Sequence, residues 1–244
     1  AGLVSMAASW GLGKALRLDR PGIGALMLTS SFGSSALLGY PIIQYTFPDD
    51  PQALADAVLM SEVGVGLPIF ILGPLIAAVF GESSEGGMLQ KGALASYFRS
   101  PIFFALVAGI AAAQFPELQR FSWLSPFWEA LQMINGALTT IACMVLALQL
   151  RVSSLKGIWP LLIGSALIQM LLQPWVAQTG ATLFHLPAVQ TQVVVLLTAM
   201  PAAVLGPVFA ARYKCAGDTA STLVMIHILM SIAIIPLSFA LLNR

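Results

Sequence analysis

The sequence predicts an all-α polytopic membrane protein with about eight transmembrane helices, two of them broken. Of its 244 residues, 58% are hydrophobic and only 9% are charged, and the mean hydropathy is +0.89. A soluble domain carries about 25% charged residues, and it could not bury this much apolar surface. The apolar residues also fall into runs of membrane-spanning length, and the basic residues gather on one side of those runs.

Eight apolar runs are candidate membrane spans, since about 20 residues are needed to cross the hydrocarbon core. The first run opens at Ala1 without a charged leader, so we expect a cut end rather than a signal peptide. The runs are 1–16, 22–47, 57–80, 98–115, 130–150, 157–176, 188–211 and 220–242.

The distribution of Lys and Arg predicts the orientation. Nine of the eleven basic residues lie in or beside the connections that follow the first, third, fifth and seventh runs. If all eight runs span, these connections share one side of the membrane. Cytoplasmic connections carry an excess of Lys and Arg, so the sequence places this side in the cytoplasm and the C-terminus outside.

Helix-breaking residues lie near the centres of two runs. The run 22–47 carries Gly39 and Pro41, and the run 188–211 carries Pro201 and a Gly-Pro pair five residues later. Broken backbone survives in a membrane only where protein or a watery cavity surrounds it, and matched breaks in two halves indicate a transporter's site. The two runs cross in opposite directions, which predicts an inverted repeat. The alternative is that Gly and Pro are simply commoner in membrane helices.

The chain contains the stretches GALMLTSSFGSSALLGYPIIQYTFPDDPQALADAVLMSEVG, SPIFFALVAGI and LLTAMPAAVLGPVFAARYKCAGDTASTLVMIHILMSIAIIPL. In their order and spacing, these three stretches resemble the auxin efflux carrier family of membrane permeases. This resemblance implies ten helices in a 5+5 inverted repeat, with the fourth and ninth broken and crossing at mid-membrane. Matching puts the run 1–16 at the family's third helix, so we expect the first two helices to be absent.

The resemblance also implies a division of the chain and a function. Residues 1–90 would hold the remaining transport-domain helices of the first repeat, 91–156 part of a scaffold, and 157–244 the transport-domain helices of the second repeat. The implied function is a secondary transporter, a permease or efflux carrier for small organic anions or weak acids, with an elevator-type motion. The alternative is a non-transporting membrane sensor or structural subunit with the same fold.

The expected partners are a small organic anion, the lipid bilayer and a second copy bound through scaffold helices. We expect no nucleic acid, cofactor or metal and no enzymatic activity, because the sequence holds no basic cluster, Walker loop or nucleophile-base arrangement. The short central connection around 81–97 favours a bacterial inner (plasma) membrane over some plant relatives, in which it is long.

The substrate is expected at the crossing, where backbone N–H groups at the start of a half-helix favour an anion. The hydroxyl candidates could instead bond to their own backbone, and the Asn135 amide could bond between helices. Ser34 and Ser35 stand where the family often has Asn, which is a departure from its pattern. The substrate-binding candidates are Ser34, Ser35, Gly39, Pro41, Gln44, Asn135, Thr198, Met200 and Pro201.

Glu62 is the proton-coupling candidate, because a carboxylate inside an apolar run marks a functional site by default and burial would let it hold a proton. A solvated position at the outer interface and a structural pair are the alternatives. Gln169 and Gln173 are weaker candidates for the site. His227 is read as a hydrogen-bonded interior residue, with a proton relay as the alternative.

Overall fold

A computed structural model describes residues 1–81, 99, 101–115, 121–149 and 158–242. These residues form helices joined by short connections, with one isolated antiparallel bridge and no strand among them. The helices are α1 (Gly2–Ala15), α2 (Arg20–Ser31), α3 (Tyr40–Thr46), α4 (Pro51–Ser61), α5 (Leu67–Phe80), α6 (Pro101–Ala113), α7 (Ser125–Gln149), α8 (Trp159–Leu167), α9 (Gln173–Leu183), α10 (Ala188–Thr198), α11 (Leu205–Arg212) and α12 (Gly217–Leu242).

In the part of the chain that the structure describes, three wide turns of π type lie next to α-helices, and a short 3₁₀ turn precedes α7. Two of the wide turns join α4 to α5 and α8 to α9 without ending the helix. The third stands before α3. Their bounds are Ser35–Gly39, Glu62–Gly66 and Ile168–Leu172, and the 3₁₀ turn is Ser122–Leu124.

Three helices of the described chain are long and apolar enough to cross a membrane: Gln52–Phe80, Trp159–Leu183 and Gly217–Leu237. The first two reach this length because they continue through a wide turn. The helix α10 is apolar but shorter. The apolar runs 22–47 and 188–211 are each divided into shorter helices, so the eight predicted spans remain a prediction.

The helix α2 lies inside the protein rather than at its surface. Ten of its twelve residues are buried, and it packs against α1, α5, α11 and α12. A Cβ on Gly24 would clash with Cys215 Sγ and lie 2.6 Å from Phe80 Cβ, so glycine permits this close approach. Asp19 begins the helix by accepting a hydrogen bond from the Gly22 N–H at 3.0 Å. Protein therefore surrounds the backbone that follows α2.

The break in the first matched run begins before the predicted Gly39 and Pro41 and extends to Gly39. The helix α2 ends at Ser31, Phe32 is extended with φ −123° and ψ 116°, and regular α-helix resumes only at Tyr40. Pro41 stands in the first turn of α3, where a missing N–H costs nothing. Gly39 permits close helix packing instead, since a Cβ there would lie 2.7 Å from Leu197 Cδ2.

The break in the second matched run falls at Pro201, as predicted, but not at the following Gly-Pro pair. The helix α10 ends at Thr198 and α11 begins at Leu205. Pro207 lies in the first turn of α11, where proline is tolerated. There is therefore one interruption in this run, spanning residues 199–204.

Candidate functional site at the helix crossing

The two interrupted segments pair with each other through their backbones. The N–H of Ser34 donates to the carbonyl of Pro201 at 2.7 Å, and the N–H of Ala203 donates to the carbonyl of Phe32 at 2.8 Å. Gly33 and Ala202 form an antiparallel bridge between these bonds. Backbone groups that leave a helix in an apolar environment need such partners, and here each broken segment supplies them to the other.

Two buried glutamines hold the carbonyls where the broken helices end. Gln173 Nε2 donates to the Ser31 carbonyl, the last residue of α2, at 3.1 Å. Gln169 Nε2 donates to the Met200 carbonyl, just after α10, also at 3.1 Å. Carbonyls at a helix end lack their usual intrahelical partner. The glutamines stand four residues apart on one continuous helix, so a single element supports both breaks.

Gln169 and Gln173 were predicted as weaker candidates for the substrate site, and their role in holding the two breaks was missed. A signal was available, because two amides spaced by one helical turn inside an apolar run are costly unless both are bonded. Within the described chain, the Oε1 atoms of Gln169 and Gln173 are buried and have no hydrogen-bond partner. Gly33 lies against the same group, since a Cβ on it would stand 3.1 Å from Gln169 Nε2 and 3.4 Å from the Met200 carbonyl oxygen.

A cavity of about 420 Å³ lies beside the crossing. Its wall combines the first interrupted segment, the wide turn between α4 and α5, and the start of α11. Three predicted residues, Ser34, Ser35 and Glu62, line it. The lining residues are Gly33, Ser34, Ser35, Ala36, Leu37, Tyr40, Ser61, Glu62, Val65, Gly66, Ile69, Phe70, Ala203, Val204 and Leu205.

Two side-chain hydrogen bonds organise the polar wall of the cavity. The hydroxyls of Ser35 and Ser61 lie 2.7 Å apart, and the Tyr40 hydroxyl donates to Glu62 Oε1 at 2.8 Å. The other carboxylate oxygen lies over Gly66, where a Cβ would approach Oε2 to 2.8 Å. Wide turns of this kind occur often at functional sites. The arrangement offers hydroxyl donors and one carboxylate to a bound molecule.

Several other predicted residues lie outside the cavity wall. Pro41 and Gln44 are exposed on α3, and Met200 and Pro201 are buried at the crossing, where their carbonyls accept the bonds described above. Gly39 is buried against α10.

Two further candidates stand on other helices. Thr198 Oγ1 bonds to the carbonyls of Val194 and Val195 at 2.8 and 3.0 Å, which is the backbone-bonded alternative for this residue. Asn135 falls within α7, but its side chain lies outside the described part of the structure.

Tyr40 and Ser61 were missed by the sequence analysis, although each adjoins a residue it singled out. Tyr40 stands between Gly39 and Pro41, and Ser61 precedes Glu62. The wide turns bring them together, and no sequence period predicts that placement. His227 is buried away from the cavity wall, with its Nε2 at 2.8 Å from the Ser165 hydroxyl. This contact agrees with the interior hydrogen-bonded interpretation.

Comparisons with known proteins agree with the resemblance. A family model described as membrane transport protein matches residues 88–239, which is more than half of the chain. One relative, an uncharacterized transporter of Methanocaldococcus jannaschii, is 24% identical over 207 residues. That alignment covers 83% of this chain and 63% of the relative, so the chain spans less than two thirds of the relative's length.

The matching family is one of transporters rather than enzymes. Its match and the apolar helices together indicate an integral membrane protein. The chain belongs to the membrane transport protein family, that of the auxin efflux carriers, as its three stretches predicted.

Proposed function

We propose that this protein is a secondary transporter for small organic anions or weak acids, and that the cavity at the helix crossing binds them. The observation that carries the proposal is the pair of interrupted helices, bonded to each other beside a cavity with polar and apolar walls. Interrupted helices in the two halves of a transporter commonly frame its substrate site. The volume of about 420 Å³ suits a small organic molecule.

The backbone at the crossing favours an anionic group. Val204 and Leu205 line the cavity at the point where α11 begins. The first N–H groups of a helix have no intrahelical partner and carry partial positive charge. Hydroxyls of Ser34, Ser35 and Ser61 add donors on the facing wall. The apolar residues of α5 would accept the carbon skeleton of the cargo.

An elevator-type motion is the mechanism we propose. Residues 1–90 and 157–244 would move as a transport domain against a scaffold that includes 91–156, and the two halves would form the inverted repeat. The hydrogen bonds between residues 32–34 and 201–203, and those from the two glutamines, support this division. They join the two halves, so a displacement of one interrupted helix would carry the other.

The cellular setting is also a proposal. We place the protein in a bacterial inner membrane with its C-terminus outside, and a second copy would bind through the scaffold helices. The charge distribution along the chain supports the orientation.

The test is flux of radiolabelled acids into proteoliposomes that contain the full chain. Succinate and indole-3-acetate serve as a dicarboxylate and an apolar monocarboxylate. We expect the Ser35→Ala/Ser61→Ala double variant to lower the apparent affinity by roughly ten- to one-hundredfold, since a hydrogen bond to a charged group contributes about 1.5–3 kcal/mol. Thr46→Ala is the matched control, because its hydroxyl bonds to the Ile42 carbonyl outside the cavity.

Equal flux by the double variant and the wild type would contradict the assignment of the site. Saturable binding without flux, in protein shown to be intact, would instead favour the sensor or structural-subunit alternative. Absence of both binding and flux for every acid would contradict the anion assignment.

A further inference from the structure

The described residues that line the cavity contain one carboxylate and no Lys, Arg or His. Tyr40, from α3, is the titratable group that faces Glu62. The lining residues from the first interrupted segment, from α5 and from the start of α11 are glycine, serine or apolar. Asp56, the nearest acidic residue on the same helix, bonds to Gln52 and Gln190 outside the cavity wall. An ionised Glu62 therefore gives the cavity a net negative charge.

An ionised Glu62 conflicts with an anionic cargo. Glu62 is exposed, so water and salt screen its charge. At a separation of about 5 Å and an effective dielectric constant of about 20, repulsion between two carboxylates lowers affinity by up to roughly two orders of magnitude. Backbone N–H groups and serine hydroxyls carry only partial positive charge, so they do not cancel a full negative one. Protonation of Glu62 removes the repulsion. Binding of the anion and binding of a proton at Glu62 must then favour each other.

The Tyr40 hydroxyl changes its role with that proton. A phenol has a single O–H donor, and here it points at Glu62 Oε1 at 2.8 Å. While the carboxylate is ionised, this charge-assisted bond engages the donor. Once Glu62 is protonated, the carboxyl is a weaker acceptor and itself becomes a donor. Both O–H groups can then be directed at a carboxylate in the cavity.

We infer that Glu62 is the proton-coupling residue and Tyr40 a proton-dependent ligand, so that the cavity takes up one proton at Glu62 with each organic anion. This inference rests on the proposed function, because it concerns the same site and assumes an anionic cargo. In the binding step the Glu62 carboxylate gains a proton from solution, and the cargo remains an anion. For a monocarboxylate, the charge of the cavity is then the same before and after loading.

The test measures protons directly. The full chain, purified in detergent, is titrated with succinate or indole-3-acetate in a calorimeter, in buffers of different ionisation enthalpy. The change in the heat of binding between buffers yields the number of protons taken up per anion bound. We expect proton uptake of up to one proton per anion, and an affinity that falls as the pH rises, by about one hundredfold in total.

Variants separate the two roles. Glu62→Gln should bind the same probes without proton uptake and with a flat pH profile, because its amide stays neutral. Tyr40→Phe should keep the proton uptake and lose roughly ten- to one-hundredfold in affinity. Asp56→Asn and Tyr45→Phe are the matched controls and should behave as wild type. Tyr45 stands on α3 as Tyr40 does, but is 90% exposed and outside the cavity wall.

Three results would overturn the inference. One is anion binding by the wild type without proton uptake. Another is a wild-type proton count in Glu62→Gln. The third is loss of binding by Glu62→Gln at every pH in protein that elutes as wild type, which would mean that the ionised carboxylate contacts the cargo. Absence of binding and flux for both acids would refute the anionic cargo, and the proton coupling with it. Flux without proton uptake would refute the coupling alone.

Discussion

Replacing Gln169 by alanine tests whether the two glutamines stabilise the crossing. The Nε2 atom lies 3.1 Å from the Met200 carbonyl oxygen, and both residues are fully buried. Loss of the donor leaves a buried carbonyl without a partner, which costs about 1–3 kcal/mol. The void left by the shortened side chain costs about 1 kcal/mol more. Removal of the Oε1 atom, which has no partner in the described chain, offsets part of this.

We expect Gln169→Ala to lower the free energy of unfolding by about 2–3 kcal/mol, which corresponds to a fall in apparent Tm of roughly 4–12 °C for a chain of this size. Gln169→Met also loses the donor but keeps most of the volume, so it should cost about 1 kcal/mol less than Gln169→Ala. Gln44→Ala, at an exposed position on α3, should change stability by less than about 0.5 kcal/mol.

The assay is the loss of the monodisperse peak in size-exclusion chromatography after heating in detergent. A Gln169→Ala variant as stable as the Gln44→Ala control would refute the role given to this hydrogen bond. If Gln169→Met were as unstable as Gln169→Ala, the void left by alanine would contribute nothing, which would contradict the cost assigned to it.

Two further predictions concern the packing around Gly81 and Cys215. A Cβ on Gly81 would clash with the Tyr213 backbone carbonyl, so Gly81→Ala should destabilise by more than about 1 kcal/mol in the same assay; Gly11→Ala, with open space around it, should be neutral or slightly stabilising, and equal effects would contradict the packing described. Burial, aided by the nearby negative charge of Asp19, raises the pKa of Cys215 to about 12. In a variant with Cys215 as the sole cysteine, the rate of labelling by a maleimide should rise with pH up to about 12 without levelling off, because the thiolate is the nucleophile. A plateau near pH 9 in the folded protein would contradict this. Denatured protein is the control.

The class of protein and its family could be predicted from the sequence because both depend on features that repeat along the chain. Apolar runs indicate which residues are buried in lipid or in protein, whichever way the helices pack. The site of a break is harder to predict, because it depends on which backbone groups find partners elsewhere. Pro41 suggested a break at its own position. The helix instead ends at Ser31, and the carbonyl of the next residue, Phe32, accepts from Ala203, a residue distant in sequence.

The candidate site was predicted only in part, because residue type can be read from the sequence and tertiary contacts cannot. Ser34, Ser35 and Glu62 follow from residue type, since hydroxyls and a carboxylate are conspicuous in apolar runs. Tyr40 does not, because tyrosine is ordinary near a membrane interface. Its place in the wall depends on the wide turn Ser35–Gly39, which shifts the helical phase before α3. A turn of that kind has no reliable residue signature, so the Tyr40–Glu62 contact required the structure.

The two glutamines set the relative position of the two interrupted helices from behind the crossing. Their spacing along one helix positions the Ser31 carbonyl relative to the Met200 carbonyl. Neither glutamine belongs to the cavity wall. Residues that do not line the cavity therefore help to determine its shape. Substitutions in the helix that carries the two glutamines could therefore change the substrate specificity while every residue of the cavity wall stays the same.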